Sequence, residues 1–242
     1  MSARAVTVRT YVAIVGLLVL GGLFAALGVW QLRRAETSRA TFAAFAARTA
    51  TTPLAALPNA VGDAERFRRV EVYGEYIPEP QFLLDNMLHE GAAGYHVLTA
   101  LRVAGSGEHV LVNRGWLPTG GDRRVLPNVA VDSAPRRVVG RIERLPRPGL
   151  RLGGAEPYVP GAATVVLQYP TADEIERDLG EAVLDYQLLL EPAEPAGFVR
   201  EWRAPGMQPE RHLAYAGQWL LLAVGAVLAA AVMVWKTSRR TA

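Results

Sequence analysis

The chain has 242 residues, half of them hydrophobic, and 26 Lys and Arg against 23 Asp and Glu give a formal net charge of +3. Basic residues this nearly balanced by acids, and scattered instead of massed in a stripe, argue against nucleic-acid binding. The lack of cysteine excludes disulfides, thiolate metal centres, cysteine nucleophiles and thioredoxin-like chemistry.

In chain order, the first element is an uncharged run over residues 12–30, long enough at ~1.5 Å per helical residue to cross a hydrocarbon core of ~30 Å. It exceeds the ~7–15-residue apolar core of a secretory signal, so it is read as a retained transmembrane helix, with cleavage near Ala25 or Ala26 the lesser alternative. Residues 33–50, rich in alanine and long side chains, extend that helix into water, and Thr51, Thr52 and Pro53 punctuate it. From Arg66 the texture changes: Phe67, Val70, Val72 and Tyr76 alternate with charged or small neighbours, the period-two pattern of a half-buried strand closed by Pro78 and Pro80. A second short strand, FLLDN, is followed by a glycine-bearing loop. Residues 95–118 read as a hairpin turning at Gly105-Ser106-Gly107. Residues 119–128 read as a loop. Arg136 to Glu143 and Thr164 to Leu167 are further strands. Thr171 three residues before Glu174 has capping-box spacing, and Gly180 closes a two-turn helix. DYQLLLEP supplies a last strand before a proline-rich return. A second uncharged run, residues 213–235, is the second span.

The fold class is therefore a membrane protein in which two transmembrane helices flank a mainly antiparallel β domain with a short helix, in the form of a small barrel or sandwich. The expected divisions are tail 1–11, span 12–31, domain 32–211, span 212–235 and tail 236–242. Arg4, Arg9, Lys236, Arg239 and Arg240 in the tails favour cytoplasmic termini. Arg33, Arg34, Arg39, Arg203 and Arg211 pull the other way, so charge leaves the sidedness open. Gly21 with Ala25, and Gly225 with Ala229, are small-residue pairs that would permit close helix contact.

Signatures of common enzymes are missing: HExxH, GxSxG, Walker A and GxGxxG do not occur. Asp63 with Glu65, and Asp173 with Glu174, read as solubilising charges. His89 and His96 flank the Gly91–Gly94 loop, but two imidazoles make a poor zinc site, which wants three or four ligands. His109, opening a strand, reads as a surface histidine. His212 differs by standing at the mouth of the second span, with Tyr215 and Trp219 three and seven residues on. Such a group suits an axial iron ligand with an aromatic wall; the competing reading is an interfacial aromatic belt. Trp30 and Gln31, then Arg33 and Arg34, lie at the matching level of the first span.

Four stretches in order, LGVWQLRR (27–34), GYHVLTALRV (94–103), VLVNRGWLP (110–118) and HLAYAGQWLLLA (212–223), resemble the Surfeit-locus family of cytochrome c oxidase assembly factors. The resemblance runs from the first span to the second, with one departure: Ala100 stands where the family usually has proline. It implies a non-catalytic accessory factor of the bacterial inner membrane, with cytoplasmic termini and a periplasmic domain, that handles haem A transiently while the oxidase catalytic subunit matures. The implied partners are that subunit, haem A synthase and the lipid bilayer; the alternative is an adaptor that stabilises an oxidase intermediate without binding haem. The family's landmarks fall on Trp30 and Gln31, on Asn113, Arg114, Gly115 and Trp116, and on His212, Tyr215 and Trp219. The implied roles are His212 as axial haem ligand, Trp30, Tyr215 and Trp219 around the macrocycle, and Arg33 or Arg34 at a propionate. For Asn113 to Trp116 a structural role is expected: a strand ends, Asn113 and Arg114 satisfy backbone or carboxylate groups, Gly115 turns and Trp116 packs beneath.

Overall fold

The computed structural model describes residues 3–49, 51–147 and 162–241. The chain divides into two units, one formed by the segments up to Ala44 and from Ala204, the other by Phe45–Arg203.

The first unit is a pair of long helices, α1 (Ala3–Thr49) and α3 (Pro209–Thr241). Both are long and apolar enough to cross a membrane. On α1 the buried positions Ile14, Gly21, Gly28 and Ala35 recur every seven residues, and half-buried Leu17, Phe24, Gln31 and Ser38 follow each by three. On α3 buried Ala216, Ala223 and Ala230 recur every seven residues, each preceded four residues earlier by half-buried His212 or Trp219 or by buried Ala226. A 3.5-residue repeat on both partners is the pattern of a left-handed helix pair. The pair is antiparallel: a Cβ on Gly21 would lie 3.5 Å from the Ala223 carbonyl, and one on Gly28 would lie 3.6 Å from that of Ala216. The pair expected from Gly225 and Ala229 plays no such part. Nothing lies within 4 Å of a Cβ on Gly225, and Ala229 is exposed, because these positions face away from the heptad stripe.

The second unit is a mixed, mainly antiparallel sheet of β1 (Arg69–Tyr76), β2 (Gln81–His89), β3 (Ala92–Val103), β4 (His109–Pro118), β5 (Arg136–Arg144), β6 (Thr164–Leu167) and β7 (Val183–Leu190). In the order β1-β5-β7-β4-β3, five strands form a ring that closes where Gly74, Glu75 and Tyr76 of β1 pair with Val103, Arg102 and Leu101 of β3. β2 continues along the same edge of β3, after the corner at Pro78 and Pro80, and carries β6 parallel to it. Prolines suit that corner because they have no N–H to give to a ladder. Among the described strands only β2–β6 and β4–β7 pair in parallel.

Alternation then sorts the side chains. Val70, Val72, Tyr76, Leu101, Val110, Val112, Val138, Ile142 and Leu188 pack together in one core. Phe82, Leu84, Leu98, Ala100 and Leu111 form a second, against Ile175 of α2 (Ala172–Leu179). The capping box on Thr171 and Glu174 opens that helix and Gly180, in the left-handed conformation, closes it.

Candidate functional site

Two groups of polar side chains are buried or half-buried where apolar residues would be the default. The first belongs to the helix pair. Nδ1 of His212 lies 2.8 Å from Oε1 of Gln31, which puts the ends of the two spans at one level, as the matching depths of Trp30 and His212 had suggested. Ser38, seven residues past Gln31 on the same stripe, donates to the Met207 carbonyl at 2.6 Å just before α3 begins. On the other side, Trp219 stacks on Phe24 with ring centroids 5.6 Å apart. One stripe of the seam thus reads Ser38–Met207, Gln31–His212, Phe24–Trp219, beside a second stripe of glycine and alanine.

His212 and Trp219 therefore share the seam, whereas Tyr215 is 43% exposed and Trp30 52% exposed. Tyr215 sits about 60° round the helix from His212, because three residues fall short of a full turn. Arg34 stands in the same relation to Gln31. Arg33 is a further ~100° round and faces away from the seam. Sequence reasoning grouped His212, Tyr215 and Trp219 by offset but missed the Gln31 contact and Phe24. The seven-residue spacing of Gly21, Gly28 and Ala35 is the signal that would have found them.

The second group lies in the β domain around β4. Contrary to the expectation that the strand ends at Asn113 to Trp116, β4 runs on to Pro118, and the four residues bulge against Leu98–His96 of β3. Gly115, at φ +113, is no turn but the crossing point of the return segment: a Cβ there would lie 2.6 Å from the Val199 carbonyl. The Trp116 N–H donates to Val199 O at 2.8 Å, and that of Phe198 to Arg114 O at 2.7 Å.

Arg114 finds carbonyls, not carboxylates. Its Nε donates to Ala196 O at 2.7 Å and Nη1 to Val129 O at 2.8 Å, with Gln81 and Thr99 at 3.4–3.5 Å. The guanidinium lies 5.1 Å from the Phe198 ring centroid and 5.9 Å from that of Tyr76. Burial lowers its pKa, and burial likewise pushes the Tyr76 hydroxyl up to about 12.

On the opposite face, the Asn113 amide donates to His96 Nδ1 at 3.2 Å and to Gln187 Oε1 at 2.9 Å. The Trp202 ring meets His96 edge-on at 5.6 Å, and His89 packs against Trp116 at 4.9 Å. His109 is not on the surface but 7% exposed, since the first position of β4 is covered by its neighbours. Burial, and then the charge of His89, lower the His96 pKa to about 4.

The ring is thus held neutral, with Nδ1 accepting. Below the ordinary histidine value of ~6.5 the unfolded chain takes up a proton that the folded domain refuses until about pH 4. Stability contributed by the neutral ring is therefore complete above pH 6.5 and is lost as the pH falls towards 4. Denaturation midpoints measured from pH 7 to pH 4 should fall less steeply in His96→Gln than in the unsubstituted chain.

Among the described residues, no group of three or more His, Cys, Asp or Glu side chains is placed to hold a metal ion. The model of the SURF1 family matches residues 18–224. A SURF1-like protein of Monosiga brevicollis is 32% identical over 104 residues, which cover 38% of this chain and 40% of the length of that relative.

Proposed function

The chain belongs to the SURF1 family, and from that premise we propose that it assists assembly of cytochrome c oxidase by holding haem A at His212 before the oxidase catalytic subunit receives it. Proteins of the family are assembly factors without catalytic turnover, and this chain is not an enzyme. Two helices long and apolar enough to cross a membrane support reading it as a multi-pass membrane protein with a central extracytoplasmic domain. We assign that domain to the periplasm of a bacterial cell, with both termini cytoplasmic, and name the catalytic subunit and haem A synthase as its partners.

The observation that carries the haem reading is the His212–Gln31 contact of 2.8 Å inside the helix seam. One imidazole is enough for an axial haem bond, whereas a zinc site wants three or four ligands. The donor set here therefore fits a haem better than a bare ion. With Nδ1 engaged, Nε2 has no hydrogen-bond partner among the described residues and is the nitrogen left to bind iron. Exposed Tyr215 and Trp30 supply aromatic surface beside it. Arg34, on the His212 side of its helix, is better placed than Arg33 to meet a propionate.

Absorption titration of the detergent-purified protein with haem A tests this, run beside His212→Ala. Saturable binding should weaken at least ~100-fold in the variant, about 2.7 kcal/mol. Equal binding in both, or binding in neither, would instead favour an adaptor that stabilises an oxidase intermediate through helix contacts. The small-residue packing of Gly21 and Gly28 on α3 is the observation on that side.

A further inference from the structure

We propose that Gln31 is the positioning residue of the haem site: it fixes the tautomer and direction of His212 so that Nε2 points its lone pair at the iron. This rests on the haem reading above. An amide oxygen accepts and never donates, so with Oε1 2.8 Å from Nδ1 the hydrogen sits on Nδ1 and Nε2 is left unprotonated. Metal-bound histidines are commonly oriented in this way by an acceptor on the second nitrogen, which also makes the ligating nitrogen more basic.

The surrounding packing gives Gln31 little freedom to do otherwise. One turn into the span, Gly28 admits α3 so closely that a Cβ would lie 2.8 Å from the Leu220 side chain. Two turns outward, Ser38 holds the Met207 carbonyl at 2.6 Å. The backbone on both sides of the Gln31–His212 layer is thereby fixed, and the remaining freedom is rotation of the imidazole about its own bonds. The Gln31 amide removes that freedom, in a setting of glycine, alanine and aromatic rings where a hydrogen bond is stronger than in water.

A polar pair that only aligned two helices would leave no mark on the iron, so the test reads the iron. Haem A is titrated into the full-length protein in detergent, with Gln31→Leu, Gln31→Glu and His212→Ala beside the unsubstituted chain. Affinity and the reduction potential of the bound haem are both measured. Gln31→Leu removes the acceptor: affinity should fall ~10–100-fold and the potential should rise as the imidazole becomes a weaker donor. Gln31→Glu supplies a stronger acceptor, and the potential should fall below that of the unsubstituted chain. Potentials ordered Glu below Gln below Leu support the assignment. Affinity and potential unchanged in both Gln31 variants, while His212→Ala loses haem, would overturn it and leave the haem reading standing. Full binding in His212→Ala would overturn both. Should Gln31→Leu fail to fold, the Glu variant decides: a lowered potential supports the role and an unchanged one ends it.

Discussion

Arg114→Met is expected to destabilise the β domain by about 3–5 kcal/mol, read as the shift in urea midpoint at unchanged slope for the full-length protein in detergent. The variant keeps the length of the side chain and part of its apolar stem, but the Ala196 and Val129 carbonyls lose donors at 2.7 and 2.8 Å. Each is a bond to a charged donor, worth ~1.5–3 kcal/mol, and the Val129 carbonyl is left behind as a buried acceptor, the Ala196 carbonyl as a part-buried one. Relief from burying a positive charge offsets only part of this, because carbonyl dipoles and two aromatic faces already solvate it. Arg114→Lys should recover little: a point ammonium cannot reach two carbonyls held by different segments in the geometry of a guanidinium fork. A loss below about 1 kcal/mol for the Met variant would show that the two carbonyls find other donors.

The neighbouring position should be almost as sensitive, for a different reason. Gly115→Ala is expected to cost on the order of 3–5 kcal/mol by the same measurement, combining ~1–3 kcal/mol of backbone strain with ~1–3 kcal/mol of overpacking. The added Cβ meets the Val199 carbonyl at 2.6 Å, the Arg200 side chain at 2.8 Å and the Phe198 carbonyl carbon at 3.0 Å, and two of the three are backbone that cannot swing aside. The bulge cannot relax either, since the Asn113 side chain already accepts from the Gly115 N–H at 3.2 Å and Trp116 donates to the Met87 carbonyl at 2.9 Å. Gly120→Ala is a fitting control: it has a similarly positive φ but nothing within 4 Å of its would-be Cβ. A loss equal to that of the control would mean that strain alone, without the crossing segment, accounts for the glycine.

These two positions show where reading the chain succeeds and where it stops. Uncharged runs, alternation at Val70 and Val72, the Gly105–Gly107 turn and the Thr171 capping box are local patterns, and each marked its element. The closure of the barrel is not local. It depends on three residues of β1 pairing with the far end of β3, and only the corner prolines hint that one strand must yield its edge to another. Gly115 read as a turn because glycine is usually that, and what makes it necessary is a carbonyl 84 residues further along, at Val199. Arg114 read as a partner for backbone or carboxylate groups, and the structure selects backbone: its acceptors are the Ala196 and Val129 carbonyls, which no side-chain pattern announces. In the helix pair, the single apolar run hid a finer period. Both spans pass any test of hydrophobicity, yet their pairing is written in where the smallest residues fall.

That period has a consequence for how such a sequence can diverge. Side chains on the outward faces of α1 and α3 are free to drift among apolar types, since nothing but their greasiness is under constraint. Chain length inside the spans is another matter. Gly28 and Gln31 stand three apart, and His212 and Ala216 four apart, so the close approach of the backbones and the aim of the imidazole are locked in phase. Inserting one residue between them turns everything beyond it by ~100° about the helix; inserting seven turns it by only ~20°. Descendants of this chain should therefore differ freely in letters along the spans and hardly at all in the count of residues between these four positions.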